Sequence, residues 1–298
     1  MRNYSTIIGV DLGGARGKTT AVARLTVDWP AGDARRSACA QVEEVLTRHP
    51  DAGDTPWRDD ALIEYLGAFA GDGLVAIDAP LTLPACVRCQ LPACPGQAVC
   101  EVPAVVWLNT EGRELMEAEA ERLAAMQQGA RSVPTRAHTR ARLKPLAPYI
   151  HRCTDVLLRN GRRIRARETL GQGNGPITAR ATHLRRALAA SGYELNRNLV
   201  EVSPRATVHA LFGARSARGY KRDADPWEPR AGIVESLGES LRFAPTSRLS
   251  REEMLRNDHC FEAVLSAFTG FLWARDDWQI PEALRHVVSE DGWIWAPE

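Results

Sequence analysis

The stretch GVDLGGARGKTT, residues 9–20, decides the fold, because it joins an acidic residue to a glycine-rich turn at the end of an apolar run. Three kinds of site begin in this way: a P-loop, the first phosphate-binding turn of an ATPase, and the first strand of a carboxylate metal site. A P-loop needs Gly-x-x-x-x-Gly-Lys-Ser/Thr between a strand and a helix. Leu12 stands where its first glycine belongs, and the residues after Lys18 alternate as a strand does. The sequence therefore disfavours a P-loop.

The residues around this stretch predict the order strand, glycine turn, strand, strand, helix, strand. Residues 5–13 and 73–81 are apolar runs bounded by turn residues, as in buried strands, and residues 18–29 alternate apolar and polar positions. Residues 59–71 carry apolar side chains at helical spacing. The same signals predict a strand at 39–49, a helix at 110–128, a strand and a helix within 198–213, a helix at 258–274 and a short strand within 292–298.

These elements predict an α/β protein whose mixed sheet is flanked by helices. Residues 85–195 interrupt the alternation with a cysteine cluster, a helix and an arginine-rich segment. The 298 residues, 44% of them hydrophobic, suffice for one large domain. We predict a single domain over residues 1–298, with a core formed by residues 1–84 and 196–298 and a Cys/Arg-rich insertion over residues 85–195.

Cysteine usage and hydropathy predict where the protein resides. The start of the chain, MRNYSTIIGV, has no long apolar region of the signal-peptide kind. The longest apolar stretch, AVLSAFTGFLWA, is shorter than the about 20 residues that a membrane span needs. Seven cysteines without a secretory signal favour a reducing compartment. We therefore expect a cytoplasmic protein that does not bind membranes; the sequence indicates no protein partner.

Two aspartates follow strands that this architecture places side by side. Asp11 ends the first predicted strand, and Asp78 ends the strand after the helix. Neighbouring carboxylates repel each other unless a cation lies between them, and hard oxygen ligands favour Mg²⁺ or Mn²⁺. Two such ions about 3.5–4 Å apart activate a water on one side of a phosphate and stabilise the leaving oxygen on the other. The alternative interpretation is an aspartate that only caps a turn.

The helix predicted at residues 258–274 begins with further polar residues. Asp258 and Glu262 share one face of the helix, His259 lies beside it, and the opposite side is apolar. If that apolar side packs on the sheet, the first turn of the helix overhangs the strand ends. We therefore predict that Glu262, helped by Asp258 or His259, completes the metal site. The alternative is that Asp258 is an N-cap and His259 a surface residue.

Segments spread along the chain resemble a known family: GVDLGG, AIDAPLTLP, HRCTDVLL, GPITARATHLRRAL, VEVSPRAT, YKR and HCFEAVLSAFTG. Together they are similar to the domain-of-unknown-function family 429, which is described as predicted nucleases of ribonuclease-H-like fold. The resemblance implies a single ribonuclease-H-like domain in which Asp11 and Asp78 bind metal. The segment from His259 to Ala263 also resembles the His/Asp-x-x-Asp-Ala helix of Holliday-junction resolvases, in which the last carboxylate completes the site. Here Glu262 takes that position and is one methylene longer.

Two more residues are candidates for the site. Glu201 lies inside a predicted strand that ends before Pro204, so it is either a fourth carboxylate or a charge on an edge strand. Lys221 is either a solvated lysine or the group that neutralises phosphate charge. The second role is implied by the similarly placed lysine of the junction resolvases.

The segment CVRCQLPACPGQAVC spaces Cys86, Cys89, Cys94 and Cys100 as C-x2-C-x4-C-x5-C. Four thiolates this close together can surround one metal ion or cluster. The spacing is near that of a zinc knuckle, in which a histidine takes the third place. Cys-Pro pairs also occur in the loops that hold 4Fe–4S clusters. The sequence therefore predicts a structural metal site and leaves zinc and a 4Fe–4S cluster open. The alternative interpretation is that the thiols bind no metal.

A basic segment predicts the partner. Residues 131–186 contain 14 Lys/Arg and two acidic residues, a local charge of +12, which leaves −11 for the rest of a chain whose net charge is +1. Arginine binds phosphate with two parallel hydrogen bonds, and the segment has few aromatic side chains for base stacking. We therefore predict that it binds nucleic acid, duplex or structured rather than single-stranded. The predicted phosphate-binding residues are Arg136, Arg140, Arg142, Lys144, Arg152, Arg159, Arg162, Arg163, Arg165 and Arg167.

Taken together, these patterns predict a metal-dependent nuclease or phosphodiesterase that cleaves nucleic acid by a two-metal-ion mechanism. One alternative is an actin-like or sugar-kinase-like ATP-dependent phosphotransferase, which shares the opening elements. Its second phosphate turn is rich in glycine, whereas AIDAPLTLP has prolines, which cannot donate N–H bonds to phosphate. The other alternative is a non-catalytic nucleic-acid-binding protein that carries a zinc or iron–sulfur loop.

Overall fold

The structure, a computed structural model, describes residues 2–14, 19–50, 55–129, 146–159, 168–171, 173–245 and 248–298. The chain divides into two compact units. The sheet unit comprises Met1–Thr82, Gly175–Ile280 and Gly292–Glu298. The helical unit comprises Leu83–Asn174 and Pro281–Asp291.

The strands of the described residues form one mixed, seven-stranded sheet in the sheet unit. In chain order they are β1 (Thr6–Asp11), β2 (Ala21–Val27), β3 (Ala40–Leu46), β4 (Gly73–Ile77), β5 (Leu199–Val202), β6 (Leu241–Phe243) and β7 (Ile294–Trp295). Their spatial order is β6-β3-β2-β1-β4-β5-β7. β2 runs antiparallel to β1 and β3, and the other neighbouring strands are parallel. All six residues of the central strand β1 are buried, which explains its uninterrupted apolar sequence.

Helices belong to both units. In chain order they are α1 (Asp59–Gly67), α2 (Ala85–Arg88), α3 (Pro103–Asn109), α4 (Glu111–Gly129), α5 (Cys153–Arg159), α6 (Gly175–Ala189), α7 (Pro204–Arg222), α8 (Trp227–Ser236), α9 (Arg248–Arg256), α10 (Asp258–Arg275) and α11 (Arg285–Val288). Helices α2 to α5 and α11 lie in the helical unit, and the others lie in the sheet unit. None of the described helices combines the length and the apolar character that crossing a bilayer requires.

Helices cover both faces of the sheet. On one face, α10 is buried from Cys260 to Ala274 and packs in one core with side chains such as Ile7. On the other face, Leu62 of α1 and Leu184 of α6 pack with Ile8. Each such side chain contributes roughly 1.5–3 kcal/mol by leaving water. The sheet is therefore held rigidly between two apolar layers.

Gly9 allows β1 and α10 to approach each other closely. A Cβ atom at this position would overlap the carbonyl oxygen of Ala263 and the amide nitrogen of Ala267. The helix backbone thus lies directly on the strand backbone, with no side chain between them. This contact lies two residues before Asp11 on the strand and one residue after Glu262 on the helix.

The helices and strands that the sequence predicts are confirmed. The predicted strands at 5–13, 18–29, 39–49 and 73–81 correspond to β1 to β4, and the predicted helices at 59–71, 110–128 and 258–274 correspond to α1, α4 and α10. The strand and helix within 198–213 are β5 and the start of α7, and the strand within 292–298 is β7. At the coarse level, the α/β class with a mixed sheet flanked by helices is therefore confirmed.

The predicted boundaries of the insertion need correction. We placed residues 85–195 outside the core, but α6 buries Ala181, Leu184 and Leu188 beside α1, so the sheet unit resumes at Gly175. The arginines of α6 made it look like part of the basic segment, although its apolar face follows helical spacing. Conversely, Pro281–Asp291, which we assigned to the core, belongs to the helical unit.

The helical unit contains a buried ion pair. Arg152 Nη2 lies 2.9 Å from Asp155 Oδ1, and both side chains are fully buried. The hydroxyl of Thr169 donates to Asp155 at 2.7 Å. Cys153 N donates to Asp291 Oδ2 at 2.8 Å. Buried charges persist only when they are paired and hydrogen-bonded in this way.

Candidate metal centre

Three carboxylates from three elements meet at one end of the sheet. Asp11 ends β1, Asp78 follows β4, and Glu262 lies in the second turn of α10. In the parallel pair β1–β4, Val10 lies opposite Ile77, and the amide of Asp78 donates to the carbonyl of Val10 at 2.9 Å. One carboxylate oxygen from each of the three side chains lies within 4.8 Å of the other two. Among the described residues, no other three His, Cys, Asp or Glu side chains are grouped so closely.

The group is largely shielded from water. Asp11 is 8% exposed and Glu262 is 4% exposed. Burial raises the pKa of Asp11. Burial and the charge of Asp11 raise the pKa of Glu262 to about 7. A divalent cation would compensate both the burial and the repulsion, and its preferred ligands are carboxylate oxygens. The residues therefore fit a hard cation.

Two side chains of α7 contact Glu262. Lys221 Nζ lies 2.6 Å from Glu262 Oε2, and Tyr220 Oη donates to Glu262 Oε1 at 2.7 Å. Burial alone would lower the pKa of Lys221, but the Glu262 carboxylate outweighs it and raises the pKa. The sequence singled out Lys221 but missed Tyr220. The helix breaks at Gly213, where φ is +79°, and the part after the break carries both residues.

His259 contacts Asp11 from the first turn of α10. Its Nδ1 lies 2.6 Å from Asp11 Oδ2, and this hydrogen bond raises the pKa of His259. The side chain is 39% exposed, so the ring connects Asp11 with solvent. The N-cap of α10 is Asn257, whose side chain accepts from the amide of His259 at 2.9 Å. Asp258 is therefore not the cap; it lies outside the carboxylate group, and its charge contributes to the raised pKa of His259.

Glu201 is not one of the grouped carboxylates. It lies on β5 opposite Ile77 and is 1% exposed. Its Oε2 accepts a hydrogen bond from the amide of Leu81 at 2.9 Å. We therefore correct its predicted role as a fourth ligand: the side chain holds the segment that follows Asp78.

A cleft of about 1180 Å³ opens at the same end of the sheet. Its lining includes Thr19, Thr20, Arg48, Asp59, Arg180 and Asn257. Thr20 directly precedes Ala21, which pairs with Asp11 across the β1–β2 ladder. The cleft therefore adjoins the glycine turn that follows Asp11, and the three grouped carboxylates are not among its lining residues.

Arg180 of α6 holds the glycine turn that follows Asp11. Its Nη1 donates to the carbonyl of Gly13 at 2.6 Å and to the hydroxyl of Thr20 at 2.8 Å. Its Nε donates to Asp59 at 2.6 Å. The sequence did not single out Arg180, because one arginine among many in a basic segment gives no separate signal.

Two of the predicted phosphate-binding residues, Arg152 and Arg159, lie within the described part of the chain. The prediction that Arg152 binds phosphate is wrong, because its side chain is fully buried against Asp155. Arg159 is mostly buried, and its Nε lies 3.0 Å from Glu119 Oε2, so its charge is compensated within the helical unit. The others lie outside the described residues: Arg136, Arg140, Arg142, Lys144, Arg162, Arg163, Arg165 and Arg167.

Four thiols, which we call the loop cysteines, stand in one segment of the helical unit: Cys86, Cys89, Cys94 and Cys100. Burial raises the pKa of Cys86, and the other three thiols raise it further. Each of the other three thiols therefore lies within electrostatic range of Cys86. In the part of the chain that the structure describes, no three of the four sulfur atoms lie within 4.8 Å of one another.

The fold and the site together define an α/β protein with a carboxylate cluster beside the ends of two parallel strands. The sequence profile of the family described as Protein of unknown function (DUF429) matches residues 9–285. The chain therefore belongs to the DUF429 family, as its motifs implied. No curated protein and no solved structure matches it.

Proposed function

We propose that this protein is a metal-dependent phosphodiesterase that acts on nucleic acid. The observation that carries the proposal is the grouping of Asp11, Asp78 and Glu262, whose oxygens lie within 4.8 Å of one another. Two negative charges at this spacing repel by about 3.5 kcal/mol at an effective dielectric constant of 20. A site that brings three of them together is suited to a cation, and Mg²⁺ and Mn²⁺ prefer such oxygen ligands.

Asp11, Asp78 and Glu262 would hold the ion, which when bound supplies Lewis acidity at a phosphate oxygen and activates water. Lys221 brings a positive charge to the same place and compensates the charge of a phosphodiester. His259 holds a proton in its hydrogen bond with Asp11 and, because its ring is partly exposed, exchanges it with water or a leaving group. These roles follow from contacts of this chain's own residues.

Charge and shape support a nucleic acid as the substrate. The cleft at the end of the sheet has a volume of about 1180 Å³, and its lining includes threonines and Arg48 beside the acidic Asp59, Asp60 and Glu253. The hydroxyls and the guanidinium suit phosphate oxygens. The local charge of +12 over residues 131–186 favours a polyanion over a small phosphate ester. The few aromatic side chains of that segment favour a duplex or structured substrate.

We also infer a ribonuclease-H-like fold. β1, β2 and β3 are consecutive strands, and each pairs antiparallel with the next. α1 follows them, and β4 pairs parallel with β1. Ribonuclease-H-like nucleases resemble the actin-like and sugar-kinase-like ATPases in this order. Pro80 and Pro84, which follow β4, favour the nuclease, since they remove N–H donors that a phosphate turn needs.

A cleavage screen tests the proposal. The full chain is incubated with Mg²⁺, Mn²⁺, Ca²⁺ or a chelator and with single-stranded, duplex and branched DNA, RNA and RNA–DNA hybrid. Asp78→Asn removes one ligand charge and keeps the shape, and Glu64→Gln, at an exposed position of α1, is the matched control. We expect cleavage in Mg²⁺ or Mn²⁺ that falls at least about a hundredfold in Asp78→Asn. The control should cleave like the wild type, and thermal melts should show both variants folded.

The other outcomes are equally informative. Cleavage that survives in Asp78→Asn rejects the site. ATP turnover without nucleic-acid cleavage identifies a phosphotransferase instead. Tight, salt-sensitive binding of nucleic acid without turnover in any divalent ion identifies a binding protein.

A further inference from the structure

The segment that carries the loop cysteines has few buried side chains and few backbone hydrogen bonds to hold its conformation. Residues 89–99 are all exposed, among them Leu91 at 54% and Val99 at 66%. No backbone amide of residues 89–98 donates to another backbone group of the described chain. Conformational entropy opposes the ordering of such a segment. Some other interaction must therefore stabilise its fold.

The loop cysteines are placed where such an interaction is needed. Cys86 lies in α2, and Cys89 follows that helix directly. Cys94 and Cys100 lie on either side of a short 3-10 turn, Gln97–Val99. Gly96, between these two cysteines, has a φ of +96°, a conformation that glycine adopts without strain. All four thiols lie within the short segment from Cys86 to Cys100.

These thiols differ from the other cysteines of the protein. Cys153 Sγ donates to the carbonyl of Ala104 at 3.4 Å, and Cys39 Sγ donates to that of Ala40 at 3.6 Å. Among the described residues, no sulfur atom of the loop cysteines has a hydrogen-bond partner, and none of the four forms a disulfide. Their sulfur lone pairs are therefore open to a metal ion.

We propose that the loop cysteines bind one Zn²⁺ ion and that this ion orders the loop. Four thiolates are a common ligand set for a tetrahedral structural zinc site, which keeps no open position for a substrate. The two central thiols, Cys89 and Cys94, are exposed, and no apolar shell surrounds them. Zinc has no redox chemistry and tolerates this exposure, whereas solvent access controls the potential of an iron–sulfur cluster. The site lies in the helical unit and is independent of the proposed phosphodiesterase activity.

Metal analysis of the purified full chain tests this assignment. The double variant Cys89→Ser/Cys94→Ser changes two exposed thiols, so it removes no core packing. Cys39→Ser is the control outside the loop, and Asp78→Asn separates this site from the carboxylates. We expect one zinc per chain in the wild type, in Cys39→Ser and in Asp78→Asn. The double variant should lose zinc by about tenfold or more.

Limited proteolysis gives a second readout. Removal of zinc from the wild type by a chelator should speed cleavage between Leu91 and Val99 by about tenfold or more, with cleavage of the sheet unit unchanged. The assignment is overturned by a wild-type protein without zinc, or by one that contains iron and absorbs at about 400 nm. It is also overturned if the double variant keeps zinc or if Asp78→Asn loses it.

Discussion

The ammonium nitrogen of Lys221 lies 2.6 Å from a carboxylate oxygen of Glu262, at the edge of the three-carboxylate group. Lys221 thus supplies positive charge beside the place where we propose that a divalent ion binds. This charge compensates Glu262 in the free protein. In the complex that we propose, it would also compensate a phosphate.

Lys221→Met removes this charge and keeps most of the side-chain length. We expect kcat/KM for nucleic-acid cleavage to fall about tenfold or more, because a hydrogen bond to a charged group contributes roughly 1.5–3 kcal/mol. Steady-state kinetics at saturating Mn²⁺ measure the effect. Arg222→Met, at the exposed neighbouring position, is the control and should cleave normally. A wild-type rate in Lys221→Met contradicts the assigned role.

Glu262 links stability to pH. Its pKa rises from 4.5 to about 7 on folding, because the side chain is buried near Asp11. The folded state therefore holds a proton that the unfolded chain releases. This contribution to stability is complete below about pH 4.5 and is lost as the pH rises through about 7.

We expect the melting temperature of the metal-free wild type to fall between about pH 4.5 and about pH 7, relative to that of Glu262→Gln. The variant has no ionisable side chain at position 262. Mn²⁺ should reverse the fall in the wild type, because ligand binding stabilises the folded state. Differential scanning calorimetry with and without Mn²⁺ measures both effects. If the melting temperatures of the two proteins change with pH in parallel, Glu262 does not titrate in this interval.

Gly9→Ala tests the contact between β1 and α10. The added Cβ meets backbone atoms of Ala263 and Ala267, which cannot move without shifting the helix. We expect a loss of about 3 kcal/mol or more in the free energy of unfolding, measured by urea denaturation. Gly71→Ala is the control, since nothing lies within 4 Å of its Cβ position, and it should change stability by about 0.5 kcal/mol or less. Equal effects at the two glycines would refute the close approach.

Arg152→Met tests the reassignment of that arginine from substrate binding to stability. Because it leaves Asp155 charged and buried, we expect a loss of about 3–5 kcal/mol in the free energy of unfolding. Replacing both partners, as in Arg152→Met/Asp155→Leu, should recover much of this loss. Arg113→Met, at an exposed position of α4, should be neutral. A stable Arg152→Met protein with weakened nucleic-acid binding would restore the original prediction.

The arginine-rich segment is tested by the salt dependence of binding. Each phosphate contact adds about 0.9 to the slope of log affinity against log salt for a duplex. Substitution of Arg136, Arg140, Arg162 and Arg163 by serine should therefore flatten this slope, measured by fluorescence anisotropy. The control set replaces four exposed arginines elsewhere: Arg113, Arg215, Arg242 and Arg251. An unchanged slope in the first set would exclude the segment as the binding surface.

The sequence predicted the elements whose signals are local. The apolar run at 73–81 became the buried strand β4, and the helical spacing at 258–274 became α10. By contrast, β6 is three residues long and exists because Ala40–Val42 of β3 pairs with it. Such pairing is tertiary and leaves no local signal. The same holds for α6, whose place in the core depends on its contact with α1.

The carboxylate group was predictable because topology fixes where strands end. Asp11 and Asp78 end parallel neighbours, so their proximity follows from strand order alone. Glu201 also lies on a neighbouring strand, but its carboxylate accepts a hydrogen bond from the amide of Leu81 and does not belong to the group of three. Tyr220, which contacts Glu262, follows the break of α7 at Gly213, and periodicity does not reveal that break.

The direct backbone contact at Gly9 has a consequence for selectivity. The backbones of β1 and α10 touch at Gly9, so a movement of α10 over β1 has to disturb this packing. For the cation site that we propose, the entropy of gathering Asp11 and Glu262 would then be lost during folding rather than during binding, as in a preorganised receptor. Such a receptor would discriminate between cations by ionic radius, because the helix would resist adjusting to one that is too large or too small.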